Sequence, residues 1–392
     1  MKRLIFCILV MFAVVANSKA QNKSINFEET KEWKKIIKKA KKEKKLIFVD
    51  CYTSWCGPCK MLAKNVFTND EVANFFNEHF VNAKYDMEKG IDGPMLKKQF
   101  DVKVYPTLLF IDPFSGEIMH CVTGAGTPKW LIGVAKLAME PDKNLNKMLK
   151  RYAAGERGKE FLRDYMSVLY AAHARDESAR VACEYLEVLP TDSLYAPGNW
   201  YLIERYVDDP LCPLLKRVMV ERGKFYATIG QTKVDSKLST SIYLAAKNVA
   251  KWRENMKVPF DEKRNQELID YLLHIDFMGA PAGLSILYTA ACVREKDYCG
   301  LLDRVDEALS YNLFRDIEEV AYFRDNIKRL VGCEDEILLK EGIRRIECFL
   351  GKLTNPSDKY CILTIKAVLQ KKIGDIIGAE NSTRDAEKYL IE

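Results

Sequence analysis

The sequence of 392 residues predicts an α/β domain over residues 21–140 followed by a mostly α-helical domain over residues 141–392. Two observations carry that division. Between Phe27 and Ala138, short apolar runs rich in β-branched and aromatic residues alternate with stretches of helical periodicity, the pattern of an α/β unit. Beyond Ala138, apolar residues recur every three to four positions, the pattern of helices packed on a common core. With 48% hydrophobic and 30% charged residues, the chain can bury a substantial core, which excludes a disordered protein.

Residues 1–20 read as a secretory signal peptide. Lys2 and Arg3 precede a continuous apolar stretch from Leu4 to Ala16, and the small residues Ser18 and Ala20 predict cleavage after Ala20. An uncleaved anchor is the competing reading, but the apolar stretch falls short of the roughly 20 residues that span a bilayer. Cys7 lacks the small residues that precede a lipidated cysteine. The mature chain is therefore expected to be periplasmic or otherwise exported. Loss of Lys2, Arg3 and Lys19 lowers its formal charge from +6 to about +3, only mildly basic.

The elements follow in order. KKIIKKAKKEKK, residues 34–45, suggests either an anionic partner or the wet face of a helix. Trp33, Ile36, Ile37 and Ala40 recur at helical spacing, which favours the helix, and no motif supports nucleic acid as a partner. KLIFVDC, residues 45–51, reads as a buried strand leading to a helix that starts at or just after the cysteines of SWCGPCK, residues 54–60. Thr68 and Glu71 stand at capping-box spacing ahead of a helix burying Val72, Phe75 and Phe76. FVNAKYD reads as a strand, GPMLKKQF as a helix and YPTLLFID as a turn into a strand. Glu117 to Val122 adds an edge strand before a helix beginning near Thr127 and Pro128.

Three separated parts of this segment, WCGPCK at Trp55 to Lys60, Asp50 six residues before Cys56, and YPTLLF at Tyr105 to Phe110, resemble the thioredoxin superfamily. The likeness runs from about Phe27 to Ala138, less than a third of the chain. With NVFTNDEVANFFNEHF it resembles in particular the exported modules related to the soluble C-terminal domain of the membrane electron-transfer protein DsbD. The resemblance implies a central mixed β-sheet flanked by helices, no cofactor, disulfide-containing client proteins as substrates, and a membrane thiol-disulfide electron donor as partner. It also implies a cis peptide bond between Tyr105 and Pro106 beside the cysteine pair. Asp50 matches the family's buried carboxylate that assists proton transfer at the resolving thiol; a helix-cap or surface aspartate is the other reading. The match of Lys84 to the family's partner lysine is ambiguous, and no role is assigned to it.

The spacing of the cysteines makes its own chemical argument. At a helix N-terminus, Cys56 meets unpaired backbone donors and the positive end of the dipole, which favour its thiolate, while Cys59 lies one turn deeper. Cys56 is then the attacking thiol and Cys59 the resolving one. Gly57 allows close backbone approach, Pro58 suits an early helical position, and Trp55 offers an apolar contact surface. Zinc also uses CxxC pairs, but a structural site needs four ligands, and His79 and His120 have no distinctive ligand pattern, so no metal is expected. A purely structural bridge is disfavoured by the residues flanking the pair.

Of 12 cysteines, eleven remain after Cys7 is removed, so at least one cannot join an intramolecular pairing set. Cys51 and Cys121 read as buried or oxidation-sensitive thiols. Cys292 with Cys299, or some pair among Cys183, Cys212, Cys333, Cys348 and Cys361, could form a second bridge. In the later region, Phe161, Leu162, Tyr165, Met166 and Leu169, then Val181, Ala182, Tyr185, Leu186 and Leu189, mark successive helices, with breaks near Pro190, Pro210, Pro259, Pro281 and Pro356. Loose repetition suggests a helix-hairpin array that would bind a client, support a homodimer or enlarge the scaffold. The leading expectation is an exported thiol-disulfide oxidoreductase that reduces protein disulfides through Cys56 and Cys59, because the Gly-Pro between them resembles the reducing thioredoxin branch. The alternative is a client-binding or chaperone-like protein whose helical domain is primary and whose redox pair is auxiliary.

Overall fold

The protein is described here by a computed structural model covering residues 24–29, 32–250 and 260–390. The predicted signal segment, Cys7 and the break at Pro259 lie outside the described residues. Contacts divide the chain into two compact units, residues 1–189 and 190–392.

The first unit is built on a four-stranded sheet in the order β2-β1-β3-β4, formed by β1 (Leu46–Tyr52), β2 (Phe80–Asp86), β3 (Thr107–Ile111) and β4 (Ile118–Thr123). β1 runs parallel to β2 and antiparallel to β3, and β3 runs antiparallel to β4, so the sheet is mixed. Alternation along β1 divides the core in two. Phe48 joins Leu62, Phe76, Phe110 and Leu131 on one face; Ile47, Val49 and Cys51 join Ile36, Ala83, Leu96 and Leu109 on the other.

The helices of this part follow in chain order as α1 (Trp33–Glu43), α2 (Gly57–Asn65), α3 (Asp70–His79), α4 (Asp92–Gln99), α5 (Pro128–Met139) and α6 (Leu145–Ala153). α1 buries Trp33, Ile36 and Ala40 and leaves its lysines exposed, as its periodicity predicts. Its N-terminus is capped from a distance: the Trp33 N–H donates to Asp92 Oδ2 at 2.6 Å. α5 begins where Thr127 and Pro128 place it, with Thr127 Oγ1 accepting from Trp130 N at 3.2 Å.

One cap differs from the sequence reading. Asn69, not Thr68, is the N-cap of α3, its Oδ1 accepting from Val72 N at 3.2 Å, while Thr68 Oγ1 donates back to Lys64 O at 2.7 Å. Phe75 is half-buried; Val72 and Phe76 are buried as expected.

The first unit does not stop where the sheet does. α6, α7 (Lys159–Ala171) and α8 (Arg175–Glu187) complete it, α6 and α7 packing on β4 and α7 on α8. Leu145 N donates to His120 Nδ1 at 3.2 Å, and Thr123 Oγ1 donates to Ala171 O at 3.3 Å. The change from α/β to all-helical thus falls near residue 140, whereas the compact unit continues to Leu189.

The second unit is helical throughout its described residues. It runs from α9 (Pro197–Tyr206) and α10 (Pro213–Val220) through α11 (Arg222–Ile229), α12 (Gln231–Val249), α13 (Glu262–His274), α14 (Ala280–Glu295) and α15 (Tyr298–Ser310) to α16 (Asp316–Arg329), α17 (Glu336–Leu350), α18 (Pro356–Lys372) and α19 (Ile376–Glu387). Neighbours pack in pairs, with α12 on α14, α14 on α15, α17 on α18 and α18 on α19. Pro213, Pro281 and Pro356 sit in first turns, where a missing N–H costs no intrahelical bond. Cys292 and Cys299 are free thiols, as are Cys183, Cys212, Cys333, Cys348 and Cys361, so none of the bridges that the sequence left open forms among the described residues.

Candidate active site

β1 ends at Tyr52, and a short turn delivers Cys56 as the N-cap of α2. The turn is pinned by Cys56 N donating to Thr53 O at 3.2 Å. With φ −69° and ψ 111°, Cys56 is extended, and its Sγ accepts from Cys59 N at 3.2 Å, the bond an oxygen would accept in an ordinary cap. Cys59, one turn in, is joined to Cys56 by a disulfide with a Cα separation of 5.3 Å. Pro58 occupies the first turn, as expected. A Cβ on Gly57 would meet nothing within 4 Å, so this glycine leaves open surface above the pair and relieves no clash within the chain.

Around the pair, Trp55 is 65% exposed while Cys56 and Cys59 are buried. The indole is fixed at two points: Nε1 donates to Glu88 Oε2 at 2.9 Å, and the ring meets Tyr105 edge-on at 5.9 Å. Lys97 lies 5.5 Å from the Tyr105 ring centroid. Tyr105 and Pro106 are joined by a cis peptide bond. The Pro106 carbonyl accepts from Gly124 N at 2.9 Å, and Gly124, at φ 88°, adopts a left-handed conformation that a side chain would strain.

Asp50 is buried on β1, on the face it shares with Phe48 by alternation and towards which α2 turns Leu62. Its Oδ1 has no hydrogen-bond partner among the described residues. Burial pushes its pKa up to about 7, while the charge of Lys84, its partner in the β1–β2 register, pulls the other way. Strand pairing places Lys84, an ambiguous match in the sequence, opposite Asp50, at an exposed position of the FVNAKYD strand. The cap and surface readings of Asp50 are excluded, since it lies mid-strand and buried.

Burial raises the pKa of the Cys51 thiol well above its usual value and pushes that of Cys121 up to about 12, so both are held as neutral thiols. His79 packs edge-on against Phe75 at 4.5 Å, and His120 is buried under α6 with its pKa pushed down to about 4. Among the described residues no group of three or more His, Cys, Asp or Glu side chains is arranged to hold a metal ion. No helix among them is long and apolar enough to cross a membrane.

The Thioredoxin family model matches residues 24–134. Thioredoxin H4 of Arabidopsis thaliana is 33% identical over 93 residues, which cover 24% of this chain and 71% of that protein. Thioredoxin-T of Drosophila melanogaster is 30% identical over 87 residues, so that the match spans 22% of this chain and only half of that protein. A solution structure from Bacteroides thetaiotaomicron, given as a candidate disulphide-isomerase, is 48% identical and covers 31% of this chain and 98% of its own, with a TM-score of 0.28.

Proposed function

Since the chain belongs to the thioredoxin family through its first unit, we propose that it is an exported thiol-disulfide oxidoreductase that reduces disulfides in client proteins. The observation that carries this reading is the Cys56–Cys59 disulfide at the N-terminus of α2, below open surface and next to Trp55, whose ring meets Tyr105 of the cis Tyr105–Pro106 pair.

In the reduced protein, the Cys56 thiolate attacks one sulfur of a client disulfide, forming a mixed disulfide and releasing the other client sulfur as a thiolate. The Cys59 thiolate then attacks Cys56 Sγ, expelling the second client thiolate and closing the intramolecular disulfide. Two electrons pass from the protein dithiol to the client, and the client thiolates take up two protons. Asp50, with its pKa near neutrality, serves as the base that takes the Cys59 proton before the second attack. Trp55, Gly57, Pro58, Tyr105 and Pro106 form the surface that receives the client chain. A membrane thiol-disulfide carrier, as in DsbD-type systems, returns electrons to the pair.

The deciding experiment is titration of the mature protein against defined thiol/disulfide buffers, with the state of Cys56 and Cys59 followed by mass spectrometry. A midpoint near about −270 mV supports client reduction, whereas one near about −120 mV makes the protein an oxidant. Failure of the pair to equilibrate removes the exchange reading and leaves client binding by the helical region as the function to test.

A further inference from the structure

A cavity of about 770 Å³ opens on the first unit, on the sheet face opposite the one Asp50 shares with Phe48. Its floor is the β3–β4 pair, where Thr107 lies opposite Thr123 and Leu109 opposite Cys121. One wall is the loop of residues 100–104, and the other is made by α6 and the end of α7 through Leu145, Leu149 and Leu169. The helices after Ala138 therefore create it.

Its position ties it to the redox site. Val104 and Thr107, the residues that bracket the cis Tyr105–Pro106 pair, both line it. The cavity and the cis pair therefore share one short segment, Val104 to Thr107. The charges at the rim are already engaged: Lys103 pairs with Asp101 at 2.8 Å, and Arg175 lies 3.4 Å from the Tyr170 ring centroid. Asp176 and Glu177 occupy the first turn of α8, where the helix dipole favours them. What the cavity offers is a mixed lining whose apolar part comes from Val104, Leu109, Ile118, Leu145, Leu149 and Leu169 beside the two threonines of the floor, and its volume exceeds that of any single side chain.

We propose that this cavity is a client subsite that takes a bulky apolar side chain, with the extended backbone around it, from the segment flanking the client cysteine that reacts at Cys56. The inference rests on the exchange reading above and gives the helices that continue the first unit a part in choosing substrates: disulfides flanked by Leu, Phe or Met are preferred over those flanked by polar residues.

The test uses the full mature chain and two disulfide-linked peptides that differ only in a Leu or a Ser two positions from the cysteine, with the small aromatic disulfide dithiobis(nitrobenzoate) as a third substrate. Leu149→Asp puts a charge at a wall position that is 44% exposed, and Ala172→Trp fills the space from the other side. Each variant is expected to raise KM for the Leu peptide about tenfold, the worth of burying one such side chain, with kcat and both other substrates unchanged. A fluorescent, cysteine-free Leu peptide should bind the wild type and lose that binding in the variants.

Equal KM changes for all three substrates, or binding that the variants leave intact, would overturn the proposal. So would a wild type whose sedimentation shows a dimer that Leu149→Asp dissociates, because the occupant is then a second copy. If the wild type exchanges no disulfide, the redox reading fails, and the cysteine-free peptide still decides whether the cavity binds apolar segments.

Discussion

At position 50 a carboxyl group lies in the core of the first unit, and its titration is written into the stability of the fold. Its pKa is about 7 in the folded chain against a reference value of 3.8, so between those values the folded state holds the proton that the unfolded state has lost. Stability is therefore full below about pH 4 and falls as pH rises towards 7, by up to about 4 kcal/mol. Asp50→Asn should leave unfolding of the oxidised protein by denaturant almost unchanged at pH 3, stabilise it by about 1 kcal/mol at pH 4.5 and do so most at pH 8. Equal midpoints at pH 8 would show that the carboxylate is solvated in the fold. If Asp50 is the base for Cys59, the same variant should slow resolution of a Cys56 mixed disulfide, with loss of a kinetic inflection near pH 7. The sequence could point to Asp50 only through the family resemblance, in which its place six residues before Cys56 is one of the matching parts. It could not assign Lys84, whose relation to Asp50 exists only through the pairing of β1 with β2.

At the scale of single elements, local chemistry and tertiary chemistry divide the caps between them. Thr68 and Asn69 are adjacent and of similar capping strength, so spacing to Glu71 favours the first, yet the turn presents the second to Val72. Asn69→Ala should lower stability by about 1 kcal/mol and Thr68→Ala by less, measured by chemical denaturation; the reverse order would restore the capping box. α1 shows a cap that sequence cannot display, since Asp92 reaches Trp33 from 59 residues away. The same junction explains Gly93, where an added Cβ would stand 2.0 Å from the Asp86 carbonyl oxygen. Gly93→Ala is thus expected to cost at least the roughly 1–3 kcal/mol of an overpacked site, read as a drop in melting temperature, because backbone and not a flexible side chain must move. Strands were legible for the opposite reason: KLIFVDC and FVNAKYD carry their burial in their own composition, and they became β1 and β2.

At the scale of the molecule, apolar residues at helical spacing announce that helices follow Ala138 but not what they pack against, since Leu145 and Leu169 look the same on a sheet as on another helix. The structure puts α6 and α7 on β4, and His120 records the contact. Its Nδ1 accepts from Leu145 N, which requires that nitrogen to be unprotonated, and burial holds its pKa near 4 against a reference of 6.5. Between those values the unfolded state binds the extra proton, so this contribution is fully present above about pH 6.5 and is lost as pH falls through 4, opposite in sign to that of Asp50. Residues 21–140 alone would lack Leu145 and the cover over His120. They should unfold at a lower denaturant concentration than residues 21–189 at pH 7, and the difference should shrink at pH 4.5, where the longer piece loses up to about 3 kcal/mol that the shorter one never had. Coincident unfolding curves at pH 7 would mean that the sheet and its first five helices are sufficient, and that α6 to α8 rest on the fold without stabilising it. A difference that persists unchanged at pH 4.5 would assign the stabilisation to the apolar contacts of α6 and α7 and remove His120 from it.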